Sequence, residues 1–188
     1  VSDAGAWLDD IQARTSTHPA KREQGALQVM EARSAIEEPP GAPPMDVHAH
    51  DRFSQTLRLT ESEISAFAQA AGDANPLHRD VAFARQSRYG QVIASGPQST
   101  SLLMGLAATH FSRIGPMVGL EFTFFFRAAV PAEALLQLDW LVVRVSPTSS
   151  RSAAVVELRG RLRIAEGETA VGARGKVLVS RHPPATAA

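Results

Sequence analysis

Pro97 to Phe111 reads PQSTSLLMGLAATHF, small or apolar on nearly every side, with a proline suited to the first turn of a helix and Gly115-Pro116 placed to stop it. A helix of that composition is expected inside a domain. What encloses it follows at once. GLEFTFFFRAAV (119–130), ALLQLDWLVVRV (134–145), AAVVELRGRLRI (153–164) and TAVGARGKVLV (169–179) are four runs rich in Val, Leu and Phe, separated by Pro, Ser and Gly-Glu steps. Consecutive short strands predict an antiparallel sheet.

A sheet next to a buried helix hides its apolar face most economically by wrapping around that helix. The expected class is α+β, a single hot-dog fold in which an antiparallel sheet wraps a long buried central helix. Upstream, RFSQTLRL (52–59) alternates as a further short strand. Thr60 and Glu63 form a T-x-x-E capping box, and Ile64, Phe67, Ala68 and Ala71 line one face of the helix it opens. Gly72 stands where a helix-ending glycine belongs, so Asp73 emerges on a turn. Asn75 and Pro76 suit the N-cap and first turn of a second short helix through Phe83, fixing the path from Asp73 to His78. As turn residues, neither Asp73 nor His78 is expected to carry core stability.

A length of 188 residues suits one compact domain. Lys plus Arg equal Asp plus Glu at 19 each, so no net field points to nucleic acid, an anionic membrane or an acidic partner. Cysteine is absent, which excludes a disulfide scaffold, a thiolate nucleophile and a Cys zinc site, and suits a reducing compartment. The start, VSDAGAWLDD, is acidic and leads into no apolar h-region, so a cytoplasmic location is expected. Val92 to Ser112 carries no Asp, Glu, Lys or Arg, but polar residues and a Gly-Pro pair interrupt it, and no membrane span is expected. EEPPGAPP (37–44) is a stiff connector. It divides an extension, residues 1–44, from a domain at 45–182 with a tail at 183–188. The extension has a candidate helix near Glu23 to Ile36 and too few large apolar residues for a core of its own, so a chain beginning at Met45 is expected to fold.

AGDANPLHRDVAFA (71–84), the Ser-Gly step opening the apolar helix, and the strands beginning GLEFTFFFRAAVP together resemble the MaoC-like hydratases, the family of (R)-specific enoyl-CoA hydratases. The resemblance covers roughly residues 52–180. It implies that Asp73 and His78 are the catalytic pair and that Asn75 shapes their turn. It also implies that Gly96 donates its backbone N–H to a developing oxyanion, with Ser101 as a supporting partner. Many relatives have His before that glycine where this chain has Ser95, a departure that bears on pocket polarity and substrate choice. The substrate implied is an acyl-CoA or acyl carrier protein thioester, and the assembly implied is a homodimer. An unpaired sheet edge gives the homodimer its own physical reason.

Hydration of a 2-enoyl thioester needs a base to take a proton from water and an acid to protonate the α-carbon on the same face. Asp73 and His78 offer both from one turn. Charge growing on the thioester oxygen is met by a backbone N–H at a helix start, where glycine allows close approach. This chemistry asks for no metal and no cofactor. Alone, an aspartate after a helix end or a single histidine is most often structural; the Asn-Pro spacer and the downstream helix start give the pair its weight. Ser101 could merely bond back to its own helix. Phe122, Phe124 and Phe126 share one strand face, where core packing is expected ahead of acyl-chain lining. Arg85 and Arg88 are candidates for coenzyme A phosphates, though surface arginines are commonplace. MDVHAHD (45–51) carries the D-x-H-x-H of metal-dependent amidohydrolases, but too few His follow for a barrel site. His48 and His50 are expected on an exposed segment. Two alternatives keep the fold and change the function: a hot-dog thioesterase, and a non-catalytic acyl-thioester binding module.

Overall fold

The computed structural model describes residues 46–148, 152–164 and 167–181. The candidate helix near Glu23 to Ile36, the extension that holds it and the tail from 183 lie outside the described residues. Five strands, β1 (Arg52–Leu57), β2 (Met117–Phe126), β3 (Leu136–Pro147), β4 (Ala153–Ile164) and β5 (Thr169–Ser180), form one antiparallel sheet in the order β1-β3-β4-β5-β2. Helices α1 (Glu61–Ala70), α2 (Val81–Gln86) and α3 (Gly96–Phe111) stand between β1 and β2 in the chain. This is the hot-dog fold, with α3 as the helix the sheet curves around.

Strand periodicity builds the core. On β3, Leu136, Leu138, Trp140 and Val142 alternate inward, and each is at most 1% exposed. Val156, Leu158 and Leu162 of β4 and Val171, Val177 and Val179 of β5 continue that face, and Leu103, Leu106, Ala107 and Phe111 of α3 meet it. Trp140 ties the two layers: its indole N–H donates to the Leu103 carbonyl at 2.8 Å, and Phe122 packs edge-on at 6.2 Å. Gly160 lies opposite Trp140 on β4, where an added Cβ would fall 2.4 Å from the indole.

α3 is not enclosed on every side, as its composition led one to expect. Pro97, Ser101, Met104, Gly105 and Thr109 are exposed, a stripe at helical spacing facing away from the sheet. Among the described residues, five strands cover one side of the helix and the exposed stripe lies on the other.

The capping box forms as the sequence implies. The Thr60 hydroxyl accepts from the Glu63 N–H at 3.1 Å, and the Glu63 carboxylate accepts from the Thr60 N–H at 2.8 Å. Ile64 and Ala68 are buried and Phe67 half-buried, whereas Ala71 is the exposed C-cap. Gly72 follows with φ +71°. The Thr60 backbone bond, then the hydroxyl bond, hold the Glu63 carboxyl below its ordinary 4.5. A depressed carboxylate contributes stability above its unfolded value and loses it as pH falls through its folded one. Thr60→Ala, which removes the hydroxyl that accepts from the Glu63 N–H and keeps the backbone bond to the carboxylate, is expected to cost about 1 kcal/mol by urea unfolding.

The second helix is two pieces. Asn75 caps a single 3₁₀ turn, Pro76–His78, which ends at Arg79 with φ −138°. Asp80 then caps α2 afresh, its carboxylate accepting from the Phe83 N–H at 3.0 Å, and α2 runs on to Gln86. His48 and His50 are exposed ahead of β1. Among the described residues no three His, Cys, Asp or Glu side chains cluster as metal ligands, and no helix is long and apolar enough to cross a membrane.

Candidate active site

The chain leaves α1 through Gly72, and the Asp73 N–H is held by the Ala68 carbonyl at 2.8 Å. Asp73 Oδ1 accepts from the Asn75 N–H at 2.9 Å, and Asn75 Oδ1 accepts from the Leu77 N–H at 3.1 Å. These two side-chain turns lock the path between Asp73 and His78. Asp73 Oδ2 then stands 3.7 Å from His78 Nε2. The Asn75 amide nitrogen is 3.4 Å from the same ring nitrogen.

His78 is only 7% exposed, a core position and not a solvated turn residue. Its Nδ1 lies 2.7 Å from the Ile93 carbonyl. A carbonyl can only accept, so Nδ1 carries the hydrogen, and in the neutral ring Nε2 presents a lone pair toward Asp73. Ile93 is itself fixed on both sides. Its N–H donates to the Leu77 carbonyl at 3.2 Å, and it bridges to Pro131. Ala94 N–H to Val130 carbonyl (2.8 Å) and Ala132 N–H to Val92 carbonyl (2.9 Å) complete the attachment.

The same segment delivers α3. Ser95 is its N-cap, 2% exposed, with its hydroxyl accepting from the Gln98 N–H at 3.3 Å. Gly96 occupies the first turn, where backbone N–H groups lack partners within the helix. A Cβ at Gly96 would come within 3.2 Å of the Phe126 ring, so glycine permits that ring to lie across the helix start.

A cavity of about 590 Å³ opens here, lined by Asn75, His78, Gly96, Ser99 and Phe126 among others. The turn and the helix start thus meet on one concavity through Asn75, His78 and Gly96, and Asp73, which does not line it, stands 3.7 Å from His78 Nε2. Besides Asp73, two residues of the expected set, Ser95 and Ser101, do not line the cavity. The Ser95 hydroxyl is engaged in capping, and Ser101 is exposed on the open side of α3, donating to the Pro97 carbonyl at 2.7 Å. Ser99, one helical turn past Gly96, lines the cavity instead. Its three-residue spacing from Gly96 was the available signal. Phe122 and Phe124 stack at 6.0 Å and are half-buried, but Phe126 is 59% exposed and belongs to the cavity wall, not to the core. Arg88 lines the cavity and Arg85 does not. A smaller concavity of about 410 Å³ lies on the outer sheet face, around Arg159 and Arg174, and includes no residue of the Asp73–His78 turn.

A five-stranded antiparallel sheet curved around one helix, with the Asp73–His78 turn beside the cavity at that helix's start, defines a hot-dog protein. The model of the family described as MaoC like domain matches residues 44–159, more than half of the sequence, and the chain belongs to that family. Comparison with curated proteins gives no match. Among solved structures, it is similar to a MaoC-like dehydratase from Rhodospirillum rubrum, with 26% identity, 73% of this chain and 96% of that chain covered, and a TM-score of 0.63. An (R)-hydratase from A. caviae involved in PHA biosynthesis is 23% identical, with 71% and 98% covered and a TM-score of 0.63. A 3R-hydroxyacyl-ACP dehydratase complex from Mycobacterium tuberculosis is 17% identical, with 71% and 98% covered and a TM-score of 0.60. The last two likenesses carry the fold alone.

Proposed function

We propose that this protein adds water to trans-2-enoyl thioesters to give (R)-3-hydroxyacyl thioesters, or runs the reverse dehydration. The observation that carries the reading is the His78 Nδ1 bond to the Ile93 carbonyl at 2.7 Å, which leaves Nε2 as an acceptor 3.7 Å from Asp73 Oδ2. A neutral imidazole and an ionised carboxylate at that distance have no proton between them. One water can donate a hydrogen to each. As its oxygen attacks the β-carbon, one of the two acceptors takes a proton, and the thioester oxygen gathers charge facing the Gly96 N–H at the α3 start. With the ring neutral and the carboxylate ionised, neither member has a second proton to give at the shared face. The proton that reaches the α-carbon is therefore the one just taken from water. Oxygen, one hydrogen on the hydroxyl and one at the α-carbon account for the whole water molecule.

A panel of 2-enoyl-CoA thioesters, followed by loss of enone absorbance with parallel detection of free thiol, tests this. Enone loss without thiol release, giving an (R)-configured product, is the expected result. Thiol release with the enone intact would make the protein a thioesterase, and binding without either change would make it an accessory module.

The same reading includes a homodimer. β2 is an edge strand of the sheet, with Val118 (57%), Leu120 (49%) and Phe126 (59%) exposed, an arrangement that invites pairing with another chain. Edge pairing with a second copy would cover those side chains and bring a second wall toward the Phe126 side of the cavity. Val118→Asp combined with Leu120→Asp is expected to convert a dimer to a monomer in sedimentation equilibrium at micromolar concentration. A wild-type protein already monomeric and fully active there would defeat the assembly proposal; a monomer lacking activity would direct attention to a different partner chain.

A further inference from the structure

The cavity that holds His78 is lined by two cations, Arg88 and Arg127, and by no carboxylate. The rest of its wall mixes polar residues, Asn75, His78, Tyr89 and Ser99, with apolar ones that include Ala128, Ala129 and Val130. Arg88 Nη2 donates to the Tyr89 hydroxyl at 2.6 Å, and its guanidinium carbon lies 4.8 Å from that ring's centroid. This contact orients the fork without neutralising it, since the phenol takes one donor of the five. Arg127 follows Phe126, the ring that crosses Gly96, and its backbone N–H is fixed to the Ala170 carbonyl at 2.8 Å. Among the described residues no Asp or Glu pairs with either arginine. Two guanidinium-bearing residues that no described carboxylate neutralises, lining one concavity, raise the local concentration of anions there.

We propose that Arg88 and Arg127 form an anion subsite within this cavity, taking an oxyacid group carried by the thioester ligand. The inference rests on the thioester reading above. Planar forks bind phosphate and carboxylate oxygens alike, so the group is either a phosphate of the carrier or a carboxylate at the far end of the acyl chain. Both sources predict the same residues and different probes.

The wild type, Arg88→Gln, Arg127→Gln and the double variant are assayed with three thioesters. Crotonyl-CoA carries the carrier phosphates, crotonyl-N-acetylcysteamine carries no charge, and the N-acetylcysteamine monothioester of trans-glutaconate carries a distal carboxylate only. The wild type is expected to favour one charged probe over the uncharged one in kcat/KM, chiefly through KM. That preference should fall by about tenfold or more in the double variant, the loss expected for removing charge-assisted hydrogen bonds, and return in part in Arg88→Lys. A lost preference for crotonyl-CoA assigns the carrier phosphate; a lost preference for the glutaconate probe assigns the acyl carboxylate. A preference that survives in the double variant, or none in the wild type, overturns the subsite. If the wild type turns over none of the three, the hydratase reading falls separately, and calorimetry with coenzyme A and with glutarate decides the subsite. Affinity for either that disappears in the double variant upholds it, and affinity unchanged or absent in the wild type overturns it.

Discussion

Asp73→Asn is expected to lower kcat by a factor of about 10² to 10⁴, the usual contribution of a positioned acid or base, while KM stays within about twofold. The amide keeps the shape of the carboxylate, and its oxygen can still accept from the Asn75 N–H, as Oδ1 does at 2.9 Å. The turn is retained. What changes is the face toward His78, where an NH₂ replaces Oδ2 opposite the Nε2 lone pair. A donor there occupies the second acceptor as well, so one substitution disables both. His78→Ala should show a similar loss in kcat, and the double variant should be little worse than either single one. The two differ in stability. Asp73 is partly exposed, whereas removing the His78 ring leaves the Ile93 carbonyl without its partner at a buried position, at a cost of about 1–3 kcal/mol. A folded Asp73→Asn protein that hydrates its best enoyl thioester at the wild-type rate would end the hydratase reading; an Asp73→Asn chain that unfolds would make the aspartate a structural residue.

Trp140→Ala is expected to be the most damaging core substitution, at about 3–5 kcal/mol in denaturant unfolding, because the site is ringed by strands that cannot collapse inward. Three contacts disappear together: the bond to the Leu103 carbonyl, the Phe122 edge contact, and the surface over Gly160. The carbonyl bond is the sheet's polar attachment to α3, so loosening is expected to reach the helix whose first turn faces the cavity. Trp140→Phe should recover much of the packing and none of the bond, separating the two. A Trp140→Ala loss below about 1 kcal/mol would show that the layers are held elsewhere.

Much of this was legible in the sequence where the governing interaction is local. β4 spans Ala153–Ile164, the run read as a strand, because it is rich in Val and Leu and turn residues bound it on both sides. The Thr60–Glu63 box and the αL glycine at 72 act within four residues of themselves, and both stand where their spacing placed them. Asp80 was hidden inside an apparently continuous helical run, since nothing in composition marks the break at Arg79. The burial of His78 depends on a carbonyl fifteen residues away, and the open side of α3 on how far five strands can reach; neither is a local quantity. Ser99 and Ser101 differ by two positions on one helix, and only the direction in which the sheet covers that helix separates a cavity wall from a solvent face.

The acceptor that sets the imidazole's tautomer belongs to the main chain of Ile93. Every amino acid carries that oxygen, so no codon change at position 93 can delete it. On the hydratase proposal, a different side chain there would reshape the cavity wall while the carbonyl goes on holding His78 Nδ1. Inheritance of the chemistry and divergence of the pocket can thus proceed at the same residue, one through backbone and the other through side chain. The vulnerable positions lie across the bridge, at Val130 to Ala132, where an insertion would shift the carbonyl out of reach.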